Sequence, residues 1–233
     1  MTDHRRLARG LVLASWAGFF AWLHLSGEKT RYLGPRTYWV VVFGTAVLGA
    51  AAVAHLATMR RGRARRLERR DALGMAVLLV PLVAVAAVPS AELGALAASR
   101  KTSGAGAAAI GAIAPPAPEA GDDVSFAEIN YASQSEAYAG EAGIAEGMEV
   151  ELTGFVTHPP GLPEGTLGLT RFHVSCCAAD AVPFTVPLVL DPSSRDDDVW
   201  LDVSGRLALR GGSYVIDPEA VTVVDAPSDP YLY

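Results

Sequence analysis

The sequence predicts a membrane protein in two parts: three N-terminal transmembrane α-helices, then a linker and a small all-β, OB-like barrel domain. Three observations predict it. Half of the 233 residues are hydrophobic, and the long apolar runs lie before Pro89. Charge is segregated: residues 1–89 carry thirteen Lys and Arg against four acids, whereas residues 90–233 carry six against twenty-one. From Met148 onward, short stretches of alternating polar and apolar residues replace the long runs. Segregation of this kind implies different environments for the two halves.

The membrane part is expected over residues 1–98. Residues 7–25 hold no charge except Arg9, and about 19 helical residues cover roughly 28 Å, close to a hydrocarbon core. A signal peptide fits poorly, because Ser26-Gly27-Glu28 offers no small-x-small cleavage site. Residues 38–59 form a second span, with Tyr38 and Trp39 at the headgroup level and a small-residue face that includes Gly44 and Gly49. Residues 72–89 form a third, kinked at Pro81, whose freed carbonyl calls for cover from a neighbouring helix. Residues 93–98 are apolar but too few to span.

The loop 60–70 has seven arginines, and the N-terminus adds Arg5, Arg6 and Arg9. The positive-inside rule puts both in the cytoplasm of a multi-pass cell-membrane protein, and three spans then put the C-terminal domain outside. His24 and His55 lie near span ends, on opposite faces in this topology, so they do not form one site.

Residues 99–124 are rich in Gly, Ala and Pro and read as a flexible linker. The extracytoplasmic domain takes residues 125–233. A short leading helix is expected over 125–139, from Phe126, Ile129 and Tyr131, with a stop at Gly140. Strands are expected over 149–157, 166–175, 184–190, 199–209 and 214–224, with His158-Pro159-Pro160-Gly161 as the first turn. Five short strands in this space suggest a small closed barrel. Its negative charge argues against nucleic acid as a ligand. Asp196-Asp197-Asp198 lacks the ligand alternation and glycine of a calcium loop and reads as a solvated acidic turn.

Chemistry concentrates in Arg171-Phe172-His173-Val174-Ser175-Cys176-Cys177-Ala178-Ala179-Asp180-Ala181, which holds both cysteines. A regular strand through Cys177 would turn Cys176 inward and Cys177 outward. It would also leave His173 and Cys177 about 13 Å apart, too far to share one ion. A metal site for zinc or copper therefore needs the strand to end near Ser175. Cys177 and Asp180 can then meet across the turn, with Cys176, His173 or His158 as further ligands. A bond between adjacent cysteines would be strained. Three readings stay open: small-residue packing, a thiol or metal-ligand role, and redox pairing. No catalytic triad, phosphate loop or carboxylate pair is recognisable, so the chain reads as non-catalytic, without an assigned cofactor.

Gly154-Phe155-Val156, Thr170-Arg171-Phe172, the run Cys176–Ala181, Trp200 with Val203-Ser204-Gly205, and Pro230-Tyr231-Leu232-Tyr233 together resemble the YcgQ-like permease-subunit family. The resemblance covers the whole chain. It implies an N-terminal multi-span region and a larger multi-span permease as partner. Such relatives often carry histidines in the loop between spans two and three, where this sequence has arginines. The function expected is thus a non-catalytic subunit of a membrane transport complex, the alternative being a stand-alone envelope thiol or metal-binding protein.

Overall fold

A computed structural model describes residues 4–58, 68–87, 93–102, 115 and 123–233. The chain divides into two units, Met1–Ala91 and Glu92–Tyr233.

In the first unit, α1 (His4–Leu25) and α2 (Tyr38–Ala57) pack side by side, and α3 (Arg69–Ala87) lies against α1. Two short 3₁₀ turns, Glu28–Arg31 and Pro35–Thr37, join α1 to α2. Close helix approach depends on small residues. A Cβ on Gly44 would sit 3.3 Å from the Phe20 ring, and one on Gly10 would sit 3.1 Å from Leu56. Gly49, expected on the same contact face, has nothing within 4 Å. Charges gather where the start of α1 meets the end of α2 and the start of α3. Arg5 pairs with Asp71 at 2.7 Å, and Arg6 donates to the Thr58 carbonyl at 2.9 Å. Trp16 Nε1 donates to the Leu78 carbonyl at 3.1 Å, in the turn of α3 that Pro81 disturbs. The carbonyl that Pro81 leaves without its helical donor is that of the preceding residue, Val77.

Trp39, Val42, Phe43, Val53, Leu73, Val77, Val80 and Val83 point outward, and apolar surface on this scale needs an apolar surrounding. Two helical segments are long and apolar enough to cross a membrane, Pro35–Ala57 and Arg69–Ala87. The expected span over 7–25 is a helix of sufficient length. Arg9, Ser15 and His24 dilute its apolar character, so two candidate spans stand among the described residues where three were expected. Most of the arginine loop (59–67) and the end of the third expected span (88–89) lie outside the described residues.

The second unit is a closed five-stranded barrel built from β1 (Glu149–Thr157), β2 (Thr166–His173), β3 (Val182–Val189), β4 (Trp200–Arg210) and β5 (Ser213–Val223). Neighbours follow the order β1–β4–β5–β3–β2, and β2 returns to β1 through Phe155↔Thr170 and Thr157↔Gly168. The β3–β5 contact at Leu188↔Ile216 is parallel and the other ring pairings are antiparallel, which is the arrangement of an OB-like barrel. Alternation sends Val150, Leu152, Leu167, Leu169, Phe184, Val186, Leu201, Val203 and Ile216 into one core. Gly211 and Gly212, both at positive φ, make the two-residue turn between β4 and β5. A further short strand, β6 (Tyr231–Leu232), adds to β2 in parallel.

Helices close the barrel. The expected single helix over 125–139 is two, with a break at Ser133-Gln134-Ser135. The first, α5 (Phe126–Ala132), is fixed by a capping box between Ser125 and Glu128 and buries Phe126 and Ile129. Ser135 caps the second, α6 (Glu136–Glu141). The expected linker begins later than its composition suggests, because Ser99–Thr102 belong to a docked helix, α4 (Ala95–Thr102). Ala95 and Ala98, three apart, let this helix sit against Phe155, Phe172, Val174, Ala181, Trp200 and Tyr231, a second core outside the barrel. Residues 103–114 and 116–122 of the expected linker lie outside the described residues.

Gly205 sits at the irregularity between β4 and β5. A Cβ there would meet the Asp217 carbonyl and lie 2.8 Å from Pro218 Cα, both backbone atoms that cannot swing away. Gly205→Ala is therefore expected to destabilise the barrel by about 1–3 kcal/mol. A lowered denaturation midpoint would show this, and an unchanged midpoint would contradict the packing described.

Candidate metal centre

The register of the β2–β3 hairpin fixes the frame of the site. His173 pairs with Val182, so the eight residues between them must reverse the chain. Val174 still donates to the Leu232 carbonyl at 2.9 Å. Beyond it the Asp180 carboxylate takes over the backbone. It accepts the N–H of Ser175 at 3.0 Å, of Cys176 at 2.9 Å and of Cys177 at 3.3 Å. Asp180 N–H donates back to the Cys177 carbonyl at 2.9 Å, closing the 3₁₀ turn Ala178–Asp180.

The strand therefore ends before the cysteines. Cys176 is exposed rather than turned into the core, and Cys177 is half-buried. The alternation that would point them to opposite sides does not operate in a turn, and the two sulfurs lie 3.8 Å apart on one side of it. The donor atoms of Cys176, Cys177 and Asp180 all lie within 4.8 Å of one another.

Neither histidine joins this group. His173 is half-buried with its ring edge-on to Phe184, 6.3 Å between centroids. His158 is held elsewhere: Nδ1 meets Asp197 at 2.8 Å and Nε2 meets the Pro192 carbonyl at 2.9 Å. Both of its ring nitrogens are thus engaged, tying the β1–β2 loop to the segment before β4. The acidic triplet is the exposed turn expected, and two of its carboxylates have partners. Asp197 partners His158, and Asp198, at φ 68°, accepts the Ala95 N–H at the start of α4.

Two residues that sequence reasoning left without a role support the site. Arg171 threads its guanidinium among the carbonyls of Asp229 (2.8 Å), Pro230 (3.3 Å) and Thr153 (3.3 Å), fixing the C-terminal segment beside β2. Burial lowers its pKa, while five N–H donors in a planar fork suit a cluster of carbonyls. Lys101 of α4 donates to the carbonyls of Ala179 at 3.0 Å and Ala181 at 2.7 Å, on either side of Asp180.

The electrostatics hold a proton on Cys176. The Cys176 thiol is pushed up to about 11, first by its hydrogen bond to Asp180 and then by Cys177. Burial raises Asp180, but the Cys176 thiol and the three backbone N–H groups outweigh it and hold the carboxyl below its usual range. Cys176 is thus a proton donor at neutral pH and a poor nucleophile. A metal ion changes this by displacing the thiol proton. Two thiolates at about 2.3 Å from one tetrahedral ion lie about 3.8 Å apart, which matches the separation of the two sulfurs here.

Residues 115–233, just over half of the chain, match the family model described as the DUF1980 C-terminal domain. No curated protein and no solved structure matches the chain.

The raised Cys176 pKa means its contact with Asp180 is intact below the ordinary thiol value of 9.0 and is lost as pH rises through about 11. Alkylation of Cys176, followed by mass spectrometry in a Cys177→Ser background, should therefore stay slow at pH 8. It should accelerate several-fold in Asp180→Asn, where the carboxylate charge is gone. Identical pH–rate profiles for the two would contradict this account of the thiol.

Proposed function

The chain belongs to the DUF1980 C-terminal domain family, and we propose that it is a non-catalytic, membrane-held subunit whose barrel presents a soft-metal site to a transport complex. One observation carries the metal reading. Two sulfurs at the spacing of a bidentate tetrahedral ion and a carboxylate share one exposed turn. Thiolate donors select Zn(II) or Cu(I) over hard cations. Three protein donors leave a fourth position for water or an incoming ligand, the pattern of a site that exchanges its contents.

Other features support the setting. Two membrane-length apolar helices precede the barrel, and α1 supplies a third span in this reading. The arginine-rich sequence between α2 and α3 favours a cytoplasmic loop there, and so an extracytoplasmic barrel. OB-like barrels bind oligonucleotides on an exposed strand face and its loops. Here α4 packs on β1 and β3, and the acidic surface repels phosphate, which argues against nucleic acid as the ligand. The resemblance to the YcgQ-like permease-subunit family supports a larger multi-span permease as partner. A barrel that binds its ion without such a partner is the second reading, favoured by the completeness of the three-donor cluster within one chain.

Detergent-solubilised full chain should bind one Zn(II) or Cu(I) in competition with a chromophoric chelator, and Cys176→Ser with Cys177→Ser should abolish it. Unchanged metal content in the double variant would sink the metal reading. Because Cys176 keeps its proton until about pH 11, binding at neutral pH must release it. Affinity should rise about tenfold per pH unit for each proton displaced, and a flat profile between pH 6 and 8 would contradict this. Affinity capture from solubilised membranes should recover a multi-span permease. Recovery of the chain alone would select the stand-alone reading.

A further inference from the structure

We infer that α4 is a strap on the metal-binding turn, with Lys101 as a positioning residue, so that metal occupancy and α4 docking stabilise each other. The inference rests on the metal reading above and adds its regulation.

The turn is braced from two directions. From inside, Asp180 collects the N–H groups of residues 175–177. From outside, the Lys101 ammonium holds the carbonyls of Ala179 and Ala181, which flank Asp180. These are ties across 78 and 80 residues of chain, so they are a property of helix docking and not of the turn itself. Ala181 is buried in the same small core as Ala95 and Ala98 of α4. The far end of the helix is pinned separately, by Asp198 on the Ala95 N–H. Helix and turn therefore move as one unit or separate as one unit.

Order points the same way. An ion held by Cys176, Cys177 and Asp180 fixes the turn whose Ala179 and Ala181 carbonyls Lys101 grips, and a gripped turn keeps the three donors together. Loading the ion should thus tighten the Lys101 contact, and by linkage an undocked α4 should weaken ion binding by the same factor. Groups that orient metal ligands from the next layer typically change affinity by about 10–100-fold.

The test uses the full chain in detergent with Zn(II) as probe. Hydrogen exchange of the α4 amides, residues 96–102, should slow at least several-fold on Zn(II) addition to the unaltered protein. Lys101→Met, which keeps the apolar stem, should weaken Zn(II) binding by about tenfold or more and abolish the zinc-dependent slowing. Lys101→Arg should recover a substantial part of both. If zinc binds with equal affinity to the unaltered protein and Lys101→Met, or leaves α4 exchange unchanged in the unaltered protein, the strap is wrong while the metal site stands. If the unaltered protein binds no zinc, both fall. The exchange measurement needs no variant, so it decides the matter even if Lys101→Met does not fold.

Discussion

One carboxylate organises the turn on which the proposed function depends. The hairpin register fixes where β2 ends and β3 begins, but it leaves eight residues free to take many paths. Asp180 selects one by accepting three successive backbone N–H groups. That choice pulls both cysteines out of strand geometry and onto one side of the chain. It also holds the Cys176 proton at rest. The same side chain is thus turn staple, proton acceptor and, in the proposed metal site, third donor, roles compatible because each carboxylate oxygen accepts more than one bond.

The barrel gives this turn a rigid base. Phe155 stacks on Phe172 at 5.8 Å and meets Trp200 at a tilt at 5.6 Å between centroids, on the outer face of the strands that lead to it. Tyr231 completes the cluster, and Arg171 fixes the C-terminal segment that carries Tyr231. Outward-facing residues of a small barrel normally meet water. Here they are covered by α4 and β6, so the second core joins the start of the unit, its end and the cysteine-bearing turn. The motifs of the sequence that seemed scattered, Arg171-Phe172, Trp200 and the C-terminal Tyr231, are one packing unit.

The barrel strands were legible in the sequence because alternation and turn residues are local. Each of the five begins and ends within two residues of its expected place, which reflects how strongly a half-buried strand constrains its side-chain pattern. What the sequence did not disclose is non-local. The β3–β5 contact and β6 are brief pairings between distant segments. Helix α4 straddles a short apolar patch and the polar start of the expected linker, and the residues its alanines pack against are distant in sequence. The cysteine directions were misjudged because regular strand geometry was carried two residues past the point where Asp180 captures the backbone. His158 and His173 are suitable ligands by type, but their partners, Asp197, Pro192 and Phe184, come from strands and loops that local spacing does not reveal. In the first unit, hydropathy identified two apolar helices clearly, whereas α1 mixes its apolar face with Arg9, Ser15 and His24.

The central claim is that Cys176 and Cys177 bind one ion together. X-ray absorption of the zinc-loaded full chain in detergent tests it most directly, because it counts the ligands of the bound ion by element. The account predicts two sulfur neighbours at about 2.3 Å with the remaining positions filled by oxygen or nitrogen near 2.0–2.2 Å. A first shell without sulfur, or with a single sulfur, would contradict it.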